Sequence, residues 1–242
     1  MNYETIEISG KEFNAAIRMA DDLLPVLAYP EELRENFKAY FMFRDVYYSK
    51  TDRVKIIQNK LRYDITIIPP GRLGSEFIKT YGHIHPIAEN NLSYTEIYDV
   101  LEGEAVYLLQ KSENNRVIDF FVVEALKGDK VIIPPNYGHV TINASNKVLK
   151  MANWVYRDFS SDYMPYKKYR GACYYLTEDG WVKNDNYSNI PEMRILKPVI
   201  PKELGLKKSE EMYKLIKTPA ILEFLYRPSE NLKIFEEAFK EK

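Results

Sequence analysis

Between Arg62 and Tyr156 the chain is a succession of short runs rich in β-branched and aromatic residues, most of them closed by Gly, Pro or Asn. That pattern limits the fold more than any other feature. The first run, Tyr63-Asp64-Ile65-Thr66-Ile67-Ile68, stops at Pro69-Pro70-Gly71. Ile97 to Leu101 leads into a turn at Glu102-Gly103, and Ala105 to Gln110 returns from it. Val117 to Val123 and Lys130 to Ile133 flank Lys127-Gly128-Asp129. Val140 to Ile142 and Val148 to Tyr156 flank a turn at Asn143 to Asn146. Short strands at such spacing predict an antiparallel sandwich or barrel. No helical pattern long enough to cross between parallel strands intervenes, which argues against an α/β sheet.

The flanks read differently. From about residue 11 to 45 helix is favoured over strand: Glu32, Leu33, Phe37 and Tyr40 keep roughly helical spacing, with Pro30 just ahead. After about residue 190 the texture is helical again. Thr218-Pro219 looks like an N-cap followed by proline at the first helical position. Leu232, Phe235 and Phe239 fall at i, i+3 and i+7, an apolar stripe expected to be a packing face. The expected organisation is a strand and helix cover over 1–60, a β barrel over 61–165, a flanking segment over 166–200 and a helical extension over 201–242.

Composition narrows the functions. A chain of 242 residues suits one large domain, or one domain with an appendage. Its 34 basic and 35 acidic side chains leave a net charge of −1, so no basic surface argues for nucleic acid. No apolar run approaches the roughly 20 residues of a membrane helix, and the N-terminus MNYETIEISGKEF does not read as a signal peptide. Cys173 is the single cysteine, which excludes an intramolecular disulfide and fits a reducing compartment. A cytoplasmic globule without nucleic-acid or membrane partners is expected.

The chain has 3 histidines, His83, His85 and His139, and all fall within the β region. Residues i and i+2 of a strand project from one face, so His83 and His85 can converge on one ion. Glu96 opens the next strand and His139 starts a later one. Three imidazoles and a carboxylate suit Fe, Mn, Ni, Zn or Cu better than Ca or Mg.

These residues resemble a family. His83-x-His85 with Glu96-(x6)-Gly103 is similar to the first cupin motif, and Gly128-(x5)-Pro134 with His139-(x3)-Asn143 is similar to the second. Within the cupins, several further pieces look like the archaeal cupin-type phosphoglucose isomerases. They are Thr66-(x4)-Gly71, Glu76-Phe77, Thr80-x-Gly82-His83-x-His85, Glu96-x-Tyr98, Leu108-Leu109-Gln110 and Pro134-Pro135-(x3)-His139-x-Thr141-x-Asn143. The resemblance covers about residues 60 to 160. Two departures stand out. Glu89 sits at the spacing the general motif gives its glutamate, but Glu96 keeps the distance to Gly103, and Glu89 falls in a lengthened 86–95 loop. Phe77 replaces a motif glycine.

The resemblance implies a mainly β fold, a double-stranded β-helix jelly roll with its metal inside the barrel. It implies the interconversion of glucose 6-phosphate and fructose 6-phosphate by hydrogen transfer between C1 and C2, within glycolysis and gluconeogenesis. The metal ligands would be His83, His85, Glu96 and His139, holding one divalent transition metal, iron first, with manganese, nickel or zinc as alternatives. Glu96 and Tyr156 would be catalytic. Thr66, Thr80, the Gly82 N–H, Tyr98 and Tyr163 would contact the sugar phosphate, and Tyr98 shares a strand face with Glu96. Lys79 and Arg72, beside turns, are expected to be solvated. A homodimer is expected, as cupin barrels often pair through sheet edges. Two competing readings are another metal-dependent cupin enzyme, such as a dioxygenase or a different sugar-phosphate isomerase, and a non-catalytic sugar-phosphate sensor.

Overall fold

The computed structural model describes residues 3–113 and 116–241. Eleven strands make its two main sheets: β1 (Ala16–Met19), β2 (Lys38–Phe43), β3 (Leu61–Ile68), β4 (Glu96–Glu102), β5 (Glu104–Glu113), β6 (Arg116–Leu126), β7 (Lys130–Ile133), β8 (Tyr137–Ile142), β9 (Leu149–Tyr156), β10 (Arg194–Pro198) and β11 (Phe239–Glu241). One sheet has the order β7-β4-β9-β3-β2-β1 and the other β8-β5-β6-β10-β11. From β4 to β9 the chain steps between the sheets, so hairpins of one are closed by strands of the other. This is a jelly roll. Every pairing is antiparallel except β6 with β10. At the β4–β5 turn Gly103 has φ +79°, and a Cβ there would lie 2.3 Å from the Val148 carbonyl oxygen. Only glycine turns the chain that close to its neighbour.

Strand parity separates two cores. Tyr63, Ile65 and Ile67 of β3, Ile97 of β4, and Ala152 and Trp154 of β9 belong to a cluster on the outer face of the six-stranded sheet. Tyr98 and Val100 of β4 and Met151 of β9 belong to the cluster between the sheets. Successive strand residues point to opposite faces, so one segment can feed both cores and still leave inward positions for polar groups.

The C-terminal segment covers the outer face. Leu215, Leu222, Phe224 and Leu225 pack against Tyr63 and Trp154, the Trp154 Nε1 donates to the Met212 carbonyl at 3.1 Å, and the Thr95 amide donates to the Leu225 carbonyl at 3.0 Å. Its form departs from the expected helices. It is a chain of 3-10 turns, including Met212–Lys217 and Pro219–Leu225, and a five-residue α-helix, Leu232–Glu236. Thr218 makes no side-chain cap, and Phe239 lies in β11, paired with Pro198. Prolines at 201, 219 and 228 interrupt any longer helix.

The N-terminal segment also differs from expectation. Phe37 and Tyr40 lead into and lie within β2, not a helix, because Tyr40 packs into one core and Phe41 and Phe43 into the other. The α-helix of this region is Lys50–Gln58, capped by Ser49, whose Oγ accepts from the Asp52 amide at 3.0 Å. It buries only Ile56, so it carries no apolar stripe to be read. Among the described residues no helix is long and apolar enough to cross a membrane.

Candidate active site

Glu96 opens β4 and His139 lies in β8 on the facing sheet. His83 and His85 lie in an extended segment between the sheets rather than in a regular strand. His83 makes a two-way backbone bridge with His139 (N···O 3.3 and 3.0 Å). Gly82 lets the chain enter this segment: φ is +84°, and a Cβ would lie 2.5 Å from the Tyr166 ring.

The ligand atoms of His83, His85, Glu96 and His139 lie within 4.8 Å of one another. The two Nε2 atoms of His83 and His85 are 3.2 Å apart. Glu96 Oε2 is 3.2 Å from His139 Nε2 and 3.5 Å from His85 Nε2, yet makes no hydrogen bond. His85 Nδ1 faces the Tyr94 carbonyl at 3.2 Å, so Nδ1–H donates and the Nε2 lone pair points into the cluster. Burial, with the neighbouring imidazoles, holds His83 well below the ordinary histidine range. Burial likewise pushes His85 down to about 4, although Glu96 pulls the other way. These two imidazoles are therefore neutral, the form that ligates metal. Burial alone would raise the Glu96 carboxyl, but contact with the His139 ring, His85 and the Arg44 charge outweigh it and hold Glu96 below its ordinary value. An ionised carboxylate among neutral imidazoles, one oxygen buried and unbonded, fits a divalent transition metal. Glu89 is elsewhere: its Oε1 accepts from the Ser229 Oγ at 2.7 Å and the Ser229 amide at 3.1 Å.

The cluster opens into a cavity of about 350 Å³. Four residues expected to meet the sugar phosphate line it, namely Thr66, Thr80, Tyr98 and Tyr163. The Thr80 Oγ1 accepts from the Thr141 amide at 2.9 Å, which leaves its own hydrogen free to donate. Tyr98 sits beside the histidine and glutamate cluster: its hydroxyl is 3.1 Å from His139 Nε2. Burial and the Glu96 charge raise its pKa well above the ordinary tyrosine value, so it stays a neutral donor.

Two expected residues are not in the cavity wall. Tyr156 ends β9 with the wrong parity: Met151, Asn153 and Val155 line the cavity, while the Tyr156 ring stacks on Tyr94 at 5.0 Å and 8°. Gly82 is buried behind the wall, where its positive φ and missing side chain account for it. Lys79 is not solvated; buried, it donates to the Val26 carbonyl at 2.6 Å and pairs with Glu76. Arg72 pairs with Glu178.

Sequence reasoning missed Arg44, Arg62 and Asn153, all in the cavity lining. A signal existed, since Arg62, Asp64 and Thr66 alternate along β3 and must share a face.

A family profile described as Glucose-6-phosphate isomerase (GPI) matches residues 17–192. The Glucose-6-phosphate isomerase of Thermococcus litoralis is 32% identical over 90 residues, which span 37% of this chain and 43% of that protein. That of Thermococcus onnurineus is 30% identical over 156 residues, 64% of this chain and 75% of that protein. Among solved structures, Lactobacillus farciminis oxalate decarboxylase in its formate complex is similar at TM-score 0.38 and 19% identity, covering 53% of this chain and 32% of that one. With a profile match that runs from β1 through β9, this jelly-roll chain belongs to the glucose-6-phosphate isomerase family.

Proposed function

We propose that this chain interconverts glucose 6-phosphate and fructose 6-phosphate, with a divalent transition metal held by His83, His85, Glu96 and His139. The observation that carries the reading is a largely buried three-histidine, one-glutamate cluster opening onto a sugar-sized cavity in a member of this family. Iron is the first expectation for the ion; manganese, nickel and zinc suit the same donors. When bound, the ion supplies Lewis-acid polarisation of the sugar oxygens at C1 and C2.

The chain's own groups account for the rest. Glu96 is the only carboxylate among the described residues that line the cavity. It accepts the proton from C2 of the aldose, and the C2–H electron pair forms the C1=C2 bond as the C1 carbonyl oxygen takes up the negative charge of the enediolate. The O2 hydroxyl proton then passes to O1, the C2 carbonyl forms, and Glu96 returns its proton to C1. The Tyr98 hydroxyl, beside Glu96 and His139, hydrogen-bonds the sugar oxygen that gains negative charge. Thr66, Thr80 and Tyr163 provide neutral donors toward the far end of the sugar phosphate. Phe159, Ser160 and Ser161 complete the wall beside His85.

The test is turnover of fructose 6-phosphate to glucose 6-phosphate by protein stripped with chelator and then reloaded separately with iron, manganese, nickel and zinc. Activity lost on stripping and restored by at least one of these ions is the expected result. No turnover with any of them would overturn the reading. In the reverse direction, glucose 6-phosphate deuterated at C2 checks the role of Glu96, because proton transfer through a carboxylate exposes the label to solvent exchange.

A further inference from the structure

The cavity carries positive charge that the chemistry at C1 and C2 does not use. Arg44 follows β2 by one residue and continues the inward row of Tyr40 and Met42, while β3 sends Arg62 and Thr66 into the same lining. Between the two arginines lies Asp64, fully buried. The Arg44 Nη1 donates to its Oδ2 at 2.7 Å, and the Arg62 Nε donates to Oδ2 at 2.9 Å and Oδ1 at 3.1 Å. One carboxylate therefore faces two guanidiniums, so this triad keeps one positive charge; Glu96, the other carboxylate nearby, would be taken up by the ion. Arg62 spends only its Nε on Asp64. Its two terminal amino groups make no hydrogen bond among the described residues, and the side chain remains 29% exposed.

Register places this charge at a useful distance from the metal ligands. Glu96 and Arg62 both pair with Val155, from opposite sides of β9. Their backbones are thus two strand spacings apart, about 10 Å, a span commensurate with an open-chain hexose phosphate. Thr66 lies two positions beyond Asp64 on the same face.

A phosphate dianion leaving water for a partly buried cavity must recover its solvation. Neutral hydroxyls from Thr66 and Thr80 offer single hydrogen bonds and no countercharge, whereas a guanidinium offers a planar fork of charged donors. We propose that Arg62, with Arg44 beside it, is the charged anchor for the phosphate of the substrate. Asp64 is a positioning residue that orients both guanidiniums. The proposal rests on the sugar-phosphate reading above, and it divides the work at the far end of the cavity: arginines balance charge and threonines complete the hydrogen bonding.

The experiment uses the full-length, metal-loaded protein and the variants Arg62→Met and Arg44→Met. Either variant leaves Asp64 one guanidinium, a balanced pair, and thermal melts establish which are folded at the assay temperature. Calorimetric titration with inorganic phosphate compares each with wild type, so any phosphate held by the ion itself is common to all. In parallel, kcat and KM are measured on fructose 6-phosphate and on unphosphorylated fructose. Loss of a charge-assisted anchor is expected to weaken phosphate binding and raise KM for the phosphorylated sugar by roughly 10- to 100-fold. The loss on the phosphorylated sugar should exceed the loss on fructose by at least the lower of those factors, a difference that a merely structural ion triad would not produce. Unchanged phosphate affinity in a folded variant, or equal proportional losses on both sugars, would overturn the anchor and leave the isomerase reading standing. A wild-type protein that does not isomerise fructose 6-phosphate would sink that reading instead, and the phosphate titration would still decide whether the arginines hold an anion.

Discussion

Two glutamates are candidates to complete the proposed metal site, and their surroundings decide between them. Glu96 Oε2 is buried against His85 and His139 with no hydrogen bond of its own. Glu89 is satisfied by Ser229. An ion that binds Glu96 relieves a buried, unbonded charge, whereas recruiting Glu89 would break two existing hydrogen bonds. Elemental analysis of purified variants should therefore find metal lost or strongly reduced in Glu96→Gln and in His139→Ala, and near wild-type content in Glu89→Gln. The reverse ranking of the two glutamates would show that the 86–95 loop, not β4, completes the ligand set. The loop has another partner in any case: Asn90 Nδ2 donates to the same Ser229 hydroxyl at 3.1 Å, tying it to the C-terminal segment.

Parity along single strands is what the elements contribute. β3 carries Arg62, Asp64 and Thr66 toward the cavity side and Tyr63, Ile65 and Ile67 toward the C-terminal segment. A shift of one residue would exchange the two sets, so the outer apolar face and the inner polar one lock each other's register. The C-terminal turns matter because they keep that outer face dry. Phe224 is fully buried there and its carbonyl accepts from the Thr95 hydroxyl at 2.9 Å, immediately before Glu96. Phe224→Ala should destabilise the protein by about 3–5 kcal/mol, the cost of removing a buried aromatic ring and leaving a cavity. The shift would be read as a lower urea midpoint at unchanged slope. A change below about 0.5 kcal/mol, the usual range for surface positions, would mean that the segment lies on the barrel without supporting it.

At the scale of the whole molecule, the site sets a pH dependence. In metal-free protein His83 and His85 bind protons less readily than they do in the unfolded chain, His85 only near 4 against an ordinary 6.5. As pH falls below that ordinary value the unfolded chain takes up protons that the folded one refuses, so folded stability present above it is lost on the way down. Glu96, also held low, adds a loss of the same sign below its ordinary 4.5. The diagnostic window is between the histidine value and the carboxylate range, where few other groups titrate. Thermal melts of chelated protein should show the melting temperature falling through this window. Saturating metal should stabilise the fold by about 2.7 kcal/mol at a hundredfold excess over Kd and so raise the melting temperature. A flat profile for the chelated protein between pH 6.5 and 5 would contradict the buried, neutral state of these rings.

By itself the sequence determined an antiparallel sandwich or barrel, which the family resemblance narrowed to a jelly roll, and singled out the four residues that cluster in its interior. Turn residues and two-residue periodicity are local properties, and three histidines in one β region leave few ways to build a metal cluster. It also carried the family, through spacings kept across several strands. Tertiary structure decided the rest. Whether Phe37 and Tyr40 enter a strand or a helix depends on two cores on either side of β2, which helical offsets cannot reveal. Tyr156 faces Tyr94 instead of the cavity because β9 meets β4 and β3 in one particular register. Tyr98 reaches His139 across the two sheets. Arg44 meets Asp64 because β2 lies beside β3, although 20 residues separate the two in the chain. Each of these outcomes turns on which strand lies next to which, and long-range pairing is settled by the burial of both sheet faces at once rather than by any local preference.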